Sequence, residues 1–201
     1  MVIIDGKSIL RNDGFFNIQQ STISVTEQKP TVISLFTCGM GMDLGFEAAK
    51  FETVYANDIT EFAYNTITKN KPKVACDLDD IGKIESNDIK EKAGIKGSPD
   101  VVIGGPPCQP FSVGGLQQGL NDSRDGFPIF LSAVERYKPE IALFENVRGM
   151  TYKGLPYLLE IIEKLCSFGY KVEKDILNAV DFGVPQKRQR LFVVAHRGNW
   201  Q

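Results

Sequence analysis

Short apolar runs that alternate with amphipathic stretches from residue 31 onward predict an α/β protein with a mostly parallel, twisted sheet and helices on both faces. Two further observations support this fold class. The run Val101-Val102-Ile103 is β-branched, lacks polar alternation and is bounded by Pro99 and Gly104, as expected of a strand buried on both faces. Several of the apolar runs also end in Gly or Asp, and parallel sheets place ligands and chemistry at the carboxyl ends of their strands.

Taken in order, strands are expected over Thr31 to Phe36, Thr53 to Asn57, Lys73 to Cys76, Asp100 to Ile103 and Ile141 to Phe144. Helices are expected between and after them, over Leu44 to Lys50, Glu61 to Asn70, Pro128 to Tyr137 and Leu155 to Phe168. The last is closed by Gly169, which suits a left-handed C-cap. Lys171 to Leu177 and Arg190 to His196 read as a closing antiparallel strand pair. Residues 1–30 carry little periodicity and read as an N-terminal extension, and Gly82 to Ser98 reads as a polar surface loop with a short helix. No internal repeat is evident.

With 201 residues, 42% hydrophobic and 24% charged, the chain suits one globular domain over residues 31–201 plus the extension. No run of about 18 apolar residues occurs and no basic segment precedes an apolar one, so neither a membrane span nor a signal peptide is expected. A cytoplasmic protein is expected, or a nuclear one in a eukaryote. Cys38, Cys76, Cys108 and Cys166 match no metal spacing, and neither a metal nor disulfides are expected. The Asn121-Asp122-Ser123 acceptor pattern carries no meaning without a secretory route. The net charge of −2 does not by itself suggest nucleic acid, and the only dense basic cluster is Lys187-Arg188-Gln189-Arg190.

The segment Gly104-Gly105-Pro106-Pro107-Cys108-Gln109-Pro110-Phe111-Ser112-Val113 is the most informative of the chain. Two glycines permit a sharp turn after the strand, two prolines then fix φ, and the Cys108 thiol is held at the carboxyl edge as a candidate nucleophile. The plain alternative is a space-filling cysteine, but that needs neither flanking prolines nor a polar Gln. Phe36-Thr37-Cys38-Gly39-Met40-Gly41 is a glycine-containing turn opening a helix, and the next strands end at Asp58 and Asp77. Together these ends form a crevice for a nucleoside-containing cofactor, although either aspartate could instead serve a turn or a helix cap. Ala142-Leu143-Phe144-Glu145-Asn146-Val147 delivers a carboxylate to the same edge, for protonating or hydrogen-bonding a substrate or for a salt bridge with Arg148 or Arg124. Arg188 and Arg190, two apart at the start of an apolar strand, point to one side and face the site unless they are merely solvated.

The turn after Phe36, the strand ends at Asp58 and Asp77, Pro107-Cys108-Gln109, Asp122 to Gly126, Glu145-Asn146-Val147 and Gln186-x-Arg188-x-Arg190 occur in an order that resembles the catalytic half of a DNA cytosine-5 methyltransferase. The resemblance implies a Rossmann-like S-adenosylmethionine-dependent methyltransferase fold and a modification methylase of double-stranded DNA that releases S-adenosylhomocysteine. It implies that Cys108 adds to C6 of a flipped cytosine, Glu145 engages N3 and the exocyclic amine, Arg190 binds O2 and Arg188 supports the site. It places the methionine moiety on Phe36, Thr37, Cys38, Gly39, Met40 and Gly41, the ribose on Asp58, and the adenine on Asp77 and Ile59. Leu78, Gly105 and Pro107 complete the cofactor set, and Pro107, Gln109, Ser112, Asn146 and Gln186 are the implied substrate contacts.

Two departures from the family pattern stand out. Cys38 and Met40 occupy positions where that turn commonly has glycine, and a positive φ there would store about 1–3 kcal/mol of strain. The chain stops at Gln201, before the target-recognition domain and the segments that follow it. A shortened catalytic domain or one subunit of a split enzyme is therefore expected, with little specific DNA binding on its own. A tRNA cytosine-5 methyltransferase shares these motifs, a non-catalytic cofactor-binding module would keep the fold, and a nicotinamide-dependent dehydrogenase would explain neither Cys108 nor the paired arginines.

Overall fold

The structure, a computed structural model, describes residues 29–83, 86–108 and 125–198. The expected extension up to residue 28, together with Gln109, Ser112 and the stretch from Asp122 to Arg124, lies outside the described residues. Seven strands, β1 (Thr31–Leu35), β2 (Glu52–Asp58), β3 (Ala75–Leu78), β4 (Val101–Gly104), β5 (Ile141–Val147), β6 (Lys171–Asn178) and β7 (Gln189–His196), form one sheet in the order β3-β2-β1-β4-β5-β7-β6. Pairing is parallel from β3 to β5, whereas β7 runs antiparallel to both of its neighbours. The closing strands pair as expected, but β7 is inserted between β5 and β6 rather than added at an edge.

Among the described residues five α-helices, α1 (Gly41–Ala48), α2 (Glu61–Asn70), α3 (Ser86–Ala93), α4 (Phe127–Tyr137) and α5 (Leu155–Ser167), connect the strands. Side chains alternate across a strand, so Ile33 and Leu35 of β1 face α4 and α5 while Val32 faces α1. The larger core joins Ile33, Leu35, Phe144, Leu191 and Val193 to Phe127, Phe130, Leu158 and Ile161. Phe127 meets Phe144 edge-on with ring centroids 5.0 Å apart. On the opposite face Val32, Val101 and Ile103 pack against Met42, Phe46 and Phe51.

Several boundaries differ from expectation. The third strand starts at Ala75 and reaches Leu78, which sets Asp77 within it, opposite Asn57 of β2. The fifth extends to Val147 because β7 pairs along its whole length, Glu145 facing Phe192 and Val147 facing Arg190. The first helix begins at Gly41, not Leu44. As expected, the polar stretch after Gly82 holds a short helix, α3, anchored by Ile89 at 1% exposure. Gly169 closes α5 as expected: at φ 89° its N–H donates to the Cys166 carbonyl while the Tyr170 N–H donates to that of Leu165.

A buried polar network joins β1, α1 and β2. Asp43, 1% exposed in the first turn of α1, accepts hydrogen bonds from Ser34 Oγ at 3.0 Å and Thr53 Oγ1 at 3.1 Å. Thr37 Oγ1 donates toward Ser34 and accepts from the Asn57 N–H. Burial holds the Asp43 carboxyl at about 6 against an ordinary 3.8, although both hydroxyls pull it down. The folded protein thus keeps a proton that the unfolded chain releases, so stability falls as pH rises from about 4 to about 6, by an amount of order 3 kcal/mol. Asp43→Asn is expected to flatten that part of the pH profile and to raise stability at neutral pH by about 1–2 kcal/mol in urea unfolding. An undiminished slope in the variant would assign the effect to another group.

Candidate active site

At the end of β1 the chain turns through alternate left-handed residues, Phe36, Cys38 and Met40 at φ 53°, 50° and 61°. Both positions lacking the usual glycine therefore adopt the strained conformation, while a Cβ on Gly39 or Gly41 would meet open space. The turn persists because neighbours hold it. The Thr37 N–H donates to the Asn57 carbonyl at 3.0 Å, the Met40 N–H to the Thr37 carbonyl at 3.0 Å, and the Cys38 N–H to Asp58 Oδ2 at 2.8 Å. Asp58 Oδ1 also accepts from the Thr60 N–H and hydroxyl. The aspartate thus fills the turn role, while its remaining lone pairs can still receive a hydroxyl.

Asp77 is more heavily engaged than expected. Lys92 Nζ lies 2.7 and 2.8 Å from its two oxygens, and the Tyr55 hydroxyl donates to Oδ2 at 2.8 Å. At the same edge Ile59 and Leu78 leave apolar side chains 68% and 42% exposed. Carboxylate acceptors beside bare apolar surface suit a ribose and a flat base, so the residues fit a nucleoside-containing cofactor.

The loop after β4 is fastened at two points. Buried Asn146 donates from Nδ2 to the Pro106 carbonyl at 2.8 Å, and the Gly126 N–H donates to the Pro107 carbonyl at 3.0 Å. Asn146, an expected substrate contact, has its amide turned to this loop and acts as its anchor. Gly126 is needed for the approach, since a Cβ there would lie 2.5 Å from Pro107 Cδ. Cys108 is 8% exposed, and its thiol is pushed up to about 12, first by burial and then by the charge of Asp125. That carboxylate accepts from the Phe127 N–H at 3.1 Å and from the Tyr157 hydroxyl.

Glu145 pairs with Arg190, Oε1 to Nε, at 2.8 Å. The salt bridge foreseen with Arg148 or Arg124 is not the one formed: Arg148 bonds Tyr152 and Gln189, and Arg124 lies outside the described residues. Facing strands place Glu145 and Arg190 on one face, diagonally across the β5–β7 pair. Burial raises the Glu145 carboxyl above its ordinary range, while Arg190 and then Arg188 draw it down. Arg188 precedes β7, exposed, with its N–H donating to Asn178 Oδ1 at 3.0 Å, and Gln186 is exposed in the same connection.

One sheet edge thus carries the Cys108 loop, the Glu145–Arg190 pair and the Asp58 turn. Such an edge can present a nucleophile and a proton donor to one ligand and acceptors to another. Sequence reasoning missed Tyr157, hidden as one aromatic of a helical apolar face, and took Asp125 only as part of a motif. Among the described residues no group of metal-binding side chains occurs, and no helix is long and apolar enough to cross a membrane.

A family model described as C-5 cytosine-specific DNA methylase matches residues 30–201. The chain is 50% identical over 171 residues to Type II methyltransferase M.AplI of Arthrospira platensis, covering 84% of this chain and 46% of that protein. It is 38% identical to Type II methyltransferase M.AquIA of a Picosynechococcus species, covering 83% of this chain and 71% of that one. A crystal structure of a Spodoptera frugiperda DNMT2 mutant superposes with a TM-score of 0.66 at 25% identity, over 85% of this chain and 51% of that one. The chain therefore spans about half of the length of two of these relatives.

Two substitutions probe the geometry of the turn and the loop. Cys38→Gly removes a left-handed side chain that is exposed, and is expected to stabilise the fold by about 1 kcal/mol in thermal unfolding. Gly126→Ala forces a side chain into Pro107 and is expected to cost about 1–3 kcal/mol. A neutral Gly126→Ala would show that the loop has room to move.

Proposed function

The chain belongs to the C-5 cytosine-specific DNA methylase family, and from that membership we propose that it carries the nucleophile and cofactor sites of an enzyme that methylates cytosine C5 in DNA. The observation that carries the reading is the Glu145–Arg190 pair at the same sheet edge as the Cys108 loop, joined to it through Asn146. A modification role in a restriction system follows from the Type II methyltransferases it resembles.

S-adenosylmethionine, when bound, supplies the electrophilic methyl group. The Phe36 to Gly41 turn and Asp58 would hold its methionine and ribose portions, with Ile59 and Leu78 against the adenine. Asp77 serves this site through Tyr55 and Lys92, and Gly105 and Pro107 close it from the loop. A cytosine flipped from the duplex, at a cost of a few kcal/mol, meets Cys108 with its C6. The sulfur–C6 bond forms as the thiol proton passes to solvent, and the C5–C6 π pair shifts to make C5 nucleophilic. Glu145, kept above its ordinary range by burial, gives a proton to N3, and Arg190 neutralises charge at O2. Once C5 carries the methyl group that S-adenosylmethionine would supply, leaving as S-adenosylhomocysteine, the C5 proton departs to solvent, and expulsion of the Cys108 thiolate with return of the N3 proton to Glu145 restores the ring. Arg188 adds a second positive charge beside Glu145, while Gln186 stands on the nucleic-acid side.

Duplex DNA containing 5-fluorocytosine should trap a covalent adduct on the Cys108 peptide, because fluorine at C5 cannot depart as a proton does. Cys108→Ser is expected to abolish the adduct, and Glu145→Gln to slow methyl transfer about 100-fold or more. Calorimetric titration of S-adenosylmethionine should give one site, weakened about tenfold by Asp58→Ala. Adduct formation that survives Cys108→Ser, or transfer to tRNA and not to DNA, would overturn the assignment of nucleophile or acceptor respectively.

A further inference from the structure

The Cys108 loop has a neighbour that methyl transfer does not use. Asp125, 6% exposed, sits one residue before the N–H that bonds the Pro107 carbonyl. Gly126 is pressed against Pro107, Pro106 and Phe36 without room for a Cβ, so the Asp125 backbone cannot withdraw. Its side chain is fixed as well, one oxygen receiving the Phe127 N–H and the other the Tyr157 hydroxyl. Tyr157 is itself 7% exposed and stacks edge-on against Phe127 at 5.8 Å. A helix cap alone would need only the Phe127 bond. Burial with a second, phenolic donor holds the carboxyl group in place beside the loop.

We infer that Asp125, steadied by Tyr157, is a positioning residue that withholds the Cys108 nucleophile in the free protein. A negative charge held there, on the residue next to the Gly126 N–H that bonds the Pro107 carbonyl, opposes a second one on the Cys108 sulfur, so the thiolate forms as the sulfur bonds to its electrophile and not beforehand. Among the described residues, the loop from Gly104 to Pro107 contributes no ionisable side chain, β5 contributes uncharged Asn146, and α5 contributes Tyr157 with Glu160 a turn beyond. The raised Cys108 thiol has burial and Asp125 as its causes, and the Tyr157 phenol is raised by burial, by Asp125 and by Cys108 in turn. The purpose assigned to the restraint rests on the methyl-transfer reading; the restraint itself does not.

The test is the pH dependence of iodoacetamide alkylation in the full chain, followed by peptide mapping at Cys108 with exposed Cys166 as internal reference. Asp125→Asn keeps an acceptor for the cap and loses the charge. It should lower the Cys108 midpoint by about one pH unit, equivalent to about a tenfold faster reaction at a fixed pH below both midpoints. Tyr157→Phe takes a donor from the carboxylate and should move the midpoint the other way, while Asp125→Glu should restore the parent value. An unchanged midpoint in Asp125→Asn overturns the inference, as does a shift of the same sign in Asp125→Asn and Tyr157→Phe, which a merely loosened loop would give. If Asp125→Asn fails to fold, the direction of the Tyr157→Phe shift decides. Alkylation requires neither cofactor nor nucleic acid, so its outcome is independent of adduct formation on 5-fluorocytosine DNA.

Discussion

The hydrogen bond from the buried Asn146 amide to the Pro106 carbonyl is the constraint on which the sheet edge depends. Its net worth is only about 1 kcal/mol, yet leaving either partner unsatisfied in the core would cost about 1–3 kcal/mol. It joins the loop after β4 to the strand that carries Glu145 one residue earlier. Because a strand alternates its faces, β5 offers an acid on one side and an anchor on the other within two consecutive residues. Pro106 and Pro107 then carry that fixation to Cys108 with little backbone freedom to dissipate it.

Periodicity made most of the fold legible. The α2 limits agree with expectation and those of α5 differ by one residue, because their amphipathic patterns are regular and Gly169 marks the end of α5. What remained illegible depended on pairing at a distance. Nothing near Glu145 indicates that β5 continues to Val147; the reason is Arg190 to His196 on β7, which supplies the partner for those last residues. The short helix expected between Gly82 and Ser98 is present as α3, but its limits were not legible, because its sequence is mostly polar and charged and one buried Ile89 gives no period.

The site divides in the same way. The convergence of Cys108, Glu145 and Arg190 on one sheet edge could be read from motif and strand end. The partners that tune them could not. Lys92 reaches Asp77 from 15 residues further on, and Tyr157 reaches Asp125 across 32 residues, through contacts that only the packed helices create. Asn146 was legible as a site residue but not as an anchor, because its direction is decided by which face of β5 meets the loop. The strain at Cys38 and Met40 was foreseeable from the missing glycines, whereas Thr37 and Asp58 as its restraints required the fold.

The place of β7 between β5 and β6 has a consequence for synthesis. The Ile141–Val147 edge emerges from the ribosome roughly 50 residues before the strand that covers it, an interval of about 3–10 s at 5–20 residues per second. During that time an apolar edge with unpaired N–H and carbonyl groups is open to other nascent chains. Translation speed through the segment from Arg148 to Gln189, and chaperone capture during it, would therefore govern how much of this protein reaches its native form.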